Sequence, residues 1–378
     1  MVGNTHTALK IAARHARQWA VRRALPFWAH EGRGGKGAFY EDMTLRGAAK
    51  PQTVRRLRVQ ARQIYVYSYA HHLGWFKGQD VVEDAMHFMN SFRHKDGGYI
   101  HLVNPDFTVK DDRRDFYDHA FYLLALAWHG RVFNAASLQR AAEVVDFIDE
   151  TMSAEEGFTE GIPPTFPRRQ NPHMHLFEAF LALYDATGDE RYLYRATKIY
   201  QLFKRYFFDA ERSRVCEYFG PDWLLLKRRG ETGVEPGHAA EWIWLLREYE
   251  KRTSVDVSAY ANALYDNVMA HSGSRIWLID ECHTDGSPMR STRRLWVQCE
   301  LLKAHLAQTE AGIAHSADMA AAILTGLTRE YLRSDGLWND QFGPDGEMIA
   351  QSVPVSTFYH IFSAITEACR ISGLQETS

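Results

Sequence analysis

Apolar and polar positions fall into two alternating kinds of helix-spaced run along this chain. One kind is amphipathic with a charged face. It recurs over Ala8 to Trp28, Asp80 to Arg93, Leu138 to Met152, Asp189 to Phe208, Ala259 to His271 and Ala317 to Leu332. The other is apolar nearly all round and carries polar groups near its start. It covers Val59 to Tyr65, Asp115 to Phe121, Asn171 to Leu176, Pro236 to Trp242, Leu295 to Glu300 and Ser356 to Ile361. Aligned on Arg62, His119, His175, His238, Gln298 and His360, this second kind repeats at steps of 57, 56, 63, 60 and 62 residues. Such a period accommodates two helices and their loops. A helix apolar all round is a buried one. The pattern therefore predicts six inner helices ringed by six outer ones, an all-α (α/α)6 barrel. Asn171-Pro172 predicts a helix start, with Asn as N-cap and Pro at the first helical position. Gly97-Gly98-Tyr99-Ile100 and Gly336-Leu337-Trp338 follow outer helices and suit connecting hairpins. No Pro-, Gly- or Ser-rich linker divides the chain, so residues 1–378 read as one domain.

Composition narrows the class. With 46% hydrophobic and 13% aromatic residues the chain is excluded from the disordered class. Lys plus Arg number 44 against 47 for Asp plus Glu, a net charge of −3, which lacks the basic excess a nucleic-acid partner requires. No apolar run reaches the ~18 residues of a membrane span. The first thirty residues are Arg-rich and free of Asp and Glu, as in transit peptides, but Ala8 to Trp28 reads as an ordinary amphipathic helix. Cys216, Cys282, Cys299 and Cys369 form no C-x-x-C pair, and the expectation is four idle thiols in a reducing cytoplasm.

The polar starts of the inner helices carry the chemistry. A buried polar group costs roughly 1–3 kcal/mol unless satisfied, so one in each of six helices implies a shared polar cavity at one mouth. Histidine is abundant, at 18 residues, and His173/His175, His238 and His360 fall on the repeat. His119 is ambiguous, because Asp115 and Asp118 beside it suit a structural network. His71-His72 lies at the far end of its helix. Clustered imidazoles bind zinc or move protons. Glu178 and Glu241 at i+3 fit helical metal pairs, but no H-E-x-x-H is present, so proton transfer is favoured and no metal or cofactor is expected. Glu241, one turn beyond His238, is placed to orient that ring. Arg62 suits holding sugar hydroxyls and an oxyanion. Tyr40, Trp242, Trp296, Phe358 and Tyr359 offer faces for a pyranose.

These residues carry a resemblance. Gly37-Ala38-Phe39-Tyr40-Glu41, Arg56 with Val59-Gln60-Ala61-Arg62, Asn171-Pro172-His173-Met174-His175-Leu176-Phe177-Glu178 and Pro236-Gly237-His238-Ala239-Ala240-Glu241-Trp242 resemble the N-acylglucosamine 2-epimerase superfamily. Trp296-Val297-Gln298-Cys299-Glu300 and Tyr359-His360 extend the match over nearly the whole chain. The resemblance implies an (α/α)6 barrel and metal-independent aldose–ketose isomerisation, or inversion at C2, through an enediolate. It implies His238 and His360 as the acid/base pair, with Arg62, Glu241 and one of His173 and His175 supporting. Tyr40, Trp296, Gln298, Glu178 and His119 complete the candidate substrate-binding set.

The H-M-H form resembles the branch acting on unmodified sugars, which includes mannose isomerases and sulfosugar isomerases. Cellobiose 2-epimerases share H-x-H-L-x-E but typically show N-T-H where this chain has Asn171-Pro172-His173. The favoured expectation is a D-mannose/D-fructose isomerase, with D-lyxose/D-xylulose as a further pair. The alternative is a sugar 2-epimerase of the glucose/mannose, N-acetylglucosamine/N-acetylmannosamine or cellobiose type. A glycoside hydrolase would need two carboxylates about 5–10 Å apart, for which Glu178, Glu241, Glu300, Asp115 and Asp118 are candidates. A non-catalytic sugar-binding scaffold is the remaining class. Substrate choice is expected from the loops Glu31 to Lys36, Asn104 to Arg114 and Asp222 to Val234. Beyond a monosaccharide, the one partner considered is a second copy, since apolar stripes on outer helices serve either packing or a homodimer face.

Overall fold

The computed structural model describes residues 2–226, 233–272 and 276–374. Among them, the six nearly all-apolar segments become helices with scarcely an exposed position. These are α3 (Leu57–His72), α5 (Phe116–Val132), α7 (Gln170–Thr187), α9 (Pro236–Thr253), α11 (Leu295–Glu310) and α13 (Thr357–Ile371). Every residue from Val59 to Ser68, from Val297 to Gln308 and from Thr357 to Cys369 is buried. Such helices are covered on all sides, and the packing supplies the cover. Each inner helix touches the next, α3 to α5 to α7 to α9 to α11 to α13, and α13 returns to α3.

The amphipathic segments form the outer layer, each with its apolar stripe on an inner neighbour. They are α1 (Val2–Trp19) continued by α2 (Leu25–His30), then α4 (Gln79–Phe88), α6 (Ala136–Met152), α8 (Glu190–Leu202), α10 (Ser258–Ser272) and α12 (Ser316–Gly326). α4, α6, α8, α10 and α12 pack on α3, α5, α7, α9 and α11, and α1 packs on α13. The architecture is an (α/α)6 barrel.

Short antiparallel pairings knit the mouth where the inner helices begin. The dipeptide before an inner helix pairs with the segment after an outer one. Arg55–Arg56 pairs with Leu102–Val103, Arg114–Asp115 with Gly161–Ile162, Arg168–Arg169 with Tyr218–Phe219, and Arg293–Arg294 with Gln341–Phe342. Val353–Pro354 pairs with Asp42–Met43 and so joins the last repeat to the first. The glycine hairpins appear as expected, closing Arg93 on Tyr99 and Leu332 on Trp338.

Trp28 completes that closure. Its buried indole lies 4.8 Å from the Trp338 ring and donates to Gly336 O at 3.2 Å. Gly336 has a φ of +89°, and a Cβ there would meet Arg23 O at 2.9 Å, so the turn requires glycine. All four cysteines are buried and unpaired. No described helix is long and apolar enough to cross a membrane.

Candidate active site

Residues one turn apart on an inner helix share a face, so the barrel axis is lined in layers. One layer holds Arg62, Phe121, His175, His238, Glu300 and His360. The layer beneath holds Tyr65, Leu124, Glu178, Glu241, Lys303 and Ser363. The upper layer is tightly joined: the Arg62 guanidinium lies 4.2 Å from the Phe121 ring, and that ring 4.4 Å from His175. Arg62, His175, His238, Glu241, Trp296 and His360 line a cavity of about 260 Å³ together with Tyr117, Asn171, Glu235, Arg294, Ser356 and Thr357. Trp296 stands between the two expected acid/base groups, its ring 5.3 Å from His238 and 5.6 Å from His360.

Three expected site residues are elsewhere, for one geometric reason. Two residues along a helix is a turn of roughly 200°, so the position two before each residue of that upper layer points away from the axis. His173, His119 and Gln298 occupy that position, as does Gln60. There they tie helix to hairpin. His173 Nδ1–H donates to Arg169 O at 3.0 Å, and its Nε2 accepts from Phe158 N at 3.1 Å. His119 repeats the pattern with Asp115 O at 2.7 Å and Tyr99 N at 3.1 Å. Gln298 clasps Leu278 N and O at 3.0 and 2.9 Å, and Gln60 clasps Phe39 N and O at 2.8 and 3.0 Å. The choice between His173 and His175 thus resolves: His175 faces the cavity.

Tyr40 is also outside the cavity lining, half-buried beneath the Arg55 guanidinium at 4.7 Å. Trp242 and Phe358 are core side chains. Asn171 is not the N-cap of α7, because Arg169 takes that place and the helix starts at Gln170. The Asn171 amide instead reaches across to His238 Nε2 at 3.1 Å. Of the expected specificity loops, residues 227–232 lie outside the described residues.

The partner of His238 differs from expectation. Glu241, one turn deeper, faces His175 Nε2 at 3.9 Å. Glu217, from the hairpin before α7's partner strand, holds His238 Nδ1 with both oxygens at 3.1 Å. Gln170 Nε2 donates to Glu217 at 3.0 Å and Trp242 Nε1 donates to Gln170 at 2.7 Å, so the carboxylate is itself fixed. Burial alone would depress His238, but the Glu217 and Glu235 carboxylates reverse this and carry it up to about 10. It is an imidazolium at neutral pH. Its Nε2–H then needs an acceptor, and a half-turn of the Asn171 amide presents Oδ1, which otherwise has none.

His360 is shifted the other way. Burial, with Arg62 and Lys303 nearby, holds it well below its ordinary value, so the ring is neutral. Its Nδ1 lies 2.7 Å from Glu300 Oε1, and the other Glu300 oxygen lies 2.8 Å from Lys303 Nζ. His175 is neutral too, pushed by burial down to about 4, and its Nδ1 lies 3.0 Å from Glu178. Burial and the Glu300 charge push Glu241 well above the usual carboxylate range. Arg62 donates to the Tyr117 hydroxyl at 3.0 Å, and among the described residues it has no carboxylate partner.

Around this cavity opens a vestibule of about 1020 Å³ that includes Arg58, Arg113, Arg169 and Arg290. Each has a carboxylate: Arg58–Asp118 at 2.9 Å, Arg169–Glu160 at 2.6 Å, Arg290–Glu281 at 3.1 Å and Arg113–Asp115 at 4.0 Å. Metal-like groupings occur at His175, Glu178 and Glu241, at Glu217, Glu235 and His238, and at Glu241, Glu300 and His360. In each a ligand is already committed. Tyr359 donates to Glu178, Gln170 to Glu217, and the Lys303 ammonium would repel a cation at Glu300.

Glu217, Glu235, Lys303 and Arg294 were not anticipated from the sequence. A signal existed for Glu217. Acidic residues recur before the inner helices at Glu41, Glu160, Glu217, Asp280 and Asp340. Glu41, Glu160 and Asp280 accept from the backbone N–H of Arg56, Arg169 and Arg294 at 2.5, 2.6 and 2.7 Å. Asp340 takes the Thr357 hydroxyl at 2.8 Å. Glu217 alone turns to an imidazole. Lys303 was visible only as a charge within the apolar run Leu301 to Ala304.

The toroid holds one protonated and one neutral imidazole at one mouth, an arrangement that suits the isomerases and epimerases of sugars. Within that class, the chain belongs to the N-acylglucosamine 2-epimerase (GlcNAc 2-epimerase) family, whose profile matches residues 37–364. It is 35% identical over 376 residues to a protein of Rhizobium meliloti (strain 1021) named mannose-6-phosphate isomerase, covering 92% of this chain and 94% of that one. It is 30% identical over 230 residues to a D-mannose isomerase of Thermobifida fusca, covering 55% and 56%. The cellobiose 2-epimerase of Spirochaeta thermophila DSM 6192 has the same fold, with a TM-score of 0.87, 22% identity and coverage of 97% and 98%. So does a D-mannose isomerase, with a TM-score of 0.84, 19% identity and coverage of 96% and 97%.

Proposed function

We propose that this enzyme is an aldose–ketose isomerase interconverting D-mannose and D-fructose, and D-lyxose and D-xylulose, without a metal ion. The observation that carries the reading is the pair of imidazoles, one held protonated and the other neutral, on either side of Trp296. Two groups of one kind pushed apart in pKa are an acid and a base. His238, as the imidazolium, donates a proton to the ring oxygen and takes up the proton of the anomeric O1 hydroxyl, which opens the pyranose to the aldehyde and leaves His238 protonated. His360, with Nδ1–H given to Glu300, presents a bare Nε2 that takes the proton from C2. The electron pair released forms the C1–C2 double bond, and the O1 oxyanion is held by Arg62 and protonated by His238. His360 then returns its proton to C1 while O2 gives its proton back to His238, leaving the ketose.

Return to C2 from the opposite face would give the epimer, and a second imidazole across the cavity keeps 2-epimerisation as the other reading. The relatives named as isomerases, at 35% and 30% identity, favour isomerisation over the cellobiose 2-epimerase matched at 20%. Glycoside hydrolysis is disfavoured because Glu178 and Glu300 are bound to Tyr359 and Lys303.

The name of the Rhizobium relative raises mannose 6-phosphate as substrate. A phosphate dianion is best held by cations free of carboxylates, and among the described residues the four vestibule guanidiniums each have one, which favours a neutral hexose. Incubation with D-mannose, D-mannose 6-phosphate, D-glucose, N-acetylglucosamine and cellobiose, followed by product analysis, tests the reading. Fructose from D-mannose is expected; N-acetylmannosamine, or turnover of the phosphate ester alone, would sink it.

A further inference from the structure

A fully buried lysine lies beneath the imidazole read as the base. Lys303 sits on α11 one turn below Glu300, among Leu301, Leu302 and Ala304 of the core. Its ammonium is 2.8 Å from Glu300 Oε2, and Glu300 Oε1 is 2.7 Å from His360 Nδ1. On its other side the ammonium rests 3.7 Å from the centre of the Trp244 ring. Lysines ordinarily extend their ammonium to water. An apolar residue here would pack without the desolvation of a charge. A charge retained at this depth has a reason beyond packing.

We propose that Lys303 is a positioning residue for the isomerisation, acting on His360 through Glu300; this rests on the reading of His360 as the base. The ammonium keeps Glu300 a carboxylate where burial favours the protonated acid. A carboxylate accepts the Nδ1–H of His360 and so fixes the tautomer with Nε2 bare toward the cavity. A protonated Glu300 would donate instead and place the proton of His360 on Nε2, which disables the base. The ammonium also opposes a second proton on the ring by direct repulsion.

The groups facing His360 are Arg62 from α3, His175 and Glu178 from α7, Glu241 from α9, and Glu300 and Lys303 from α11. Arg62 is committed to the cavity, so Lys303 is the cation that acts from below. Removing it has a defined sign. Repulsion of the imidazolium falls, the uncompensated Glu300 attracts a proton, and His360 holds its own proton to higher pH.

The test compares full-length wild type with K303M, which deletes the charge, and K303R, which keeps it. Imidazole titration by NMR on 15N-labelled protein is paired with kcat and KM for D-mannose across pH. In K303M the His360 midpoint and the acid limb of kcat/KM are expected to rise together by about 1–2 pH units. On the acid side of the profile kcat falls below wild type at the same pH, while KM stays within about twofold because Lys303 does not line the cavity. K303R keeps the wild-type midpoint. A folded K303M whose His360 titrates as in wild type overturns the proposal. Where K303M does not fold, K303Q makes the same comparison with a neutral donor to Glu300. Absence of turnover on every hexose defeats the functional reading instead, and the NMR midpoints still decide the coupling.

Discussion

His238 and His360 are chemically identical side chains in one layer against one indole, and their surroundings alone set their protonation apart, the difference on which the proposed acid and base roles rest. Both lose solvent, which favours the neutral ring. His238 regains its proton because two carboxylates face it, Glu217 at 3.1 Å and Glu235 at 3.9 Å. His360 is bonded to a single carboxylate, Glu300, whose charge is already matched by Lys303, and Arg62 and Lys303 oppose its protonation. Glu217→Gln keeps the shape of the partner and deletes its charge. His238 then releases its proton at lower pH, so the alkaline limb of kcat/KM moves down from near 10 toward neutrality. At pH 8 we expect activity to fall by about 10–100-fold. A pH–rate profile checks this, and an unmoved alkaline limb would remove Glu217 from the acid's control.

At the scale of the helix, the alternation of run types made the two rings legible, because a helix buried on all sides has no solvent face to encode. The start of each inner helix was read less well. Its polar positions serve two faces, and a period of about 60 residues does not tell one from the other. Arg62, His175, His238 and His360 turn inward, whereas His119, His173 and Gln298, two residues out of phase, turn to the hairpins. The distinction lies in the offset: Gln60 and Arg62, like His173 and His175, are two apart on one helix. Glu217 was harder still, since it comes from a loop 21 residues before its imidazole. The shared task of His173 and Gln298 gives a substitution test. At Gln60 and Gln298 a glutamine accepts from a hairpin backbone N–H, as His173 Nε2 does from Phe158, so His173→Gln is expected to fold and to keep kcat and KM near wild type. His175→Gln replaces a ring in the cavity and is expected to lower kcat/KM by about tenfold or more. Steady-state kinetics on the two variants decides it; equal losses would mean that both rings serve the cavity.

Across the whole barrel, the buried imidazoles set how stability depends on pH, and they act from both sides. His173 and His305 are pushed by burial down to about 3, and His175 to about 4. Each is neutral when folded and titrates at its ordinary value of 6.5 when unfolded. Their folded pKa values are depressed, so the stability they permit is present above 6.5 and is lost as pH falls toward 3–4, because the unfolded chain binds those protons first. His238 works in the other direction. Its folded value near 10 lies above 6.5, so its contribution is complete below 6.5 and is lost as pH rises through 10. The two trends meet near neutrality and predict a dome, with the melting temperature highest around pH 6–7. The flanks have separate owners, which makes the dome testable in parts. His173→Gln removes one group that titrates only on the acid side and should flatten that flank alone. Glu217→Gln lowers the folded value of His238 and should flatten the alkaline flank alone. Melting temperatures of wild type and both variants from pH 4 to pH 10 check the assignment. A wild-type profile rising steadily through pH 9 would show that His238 is not held as an imidazolium, and the acid/base division of the site would fall with it.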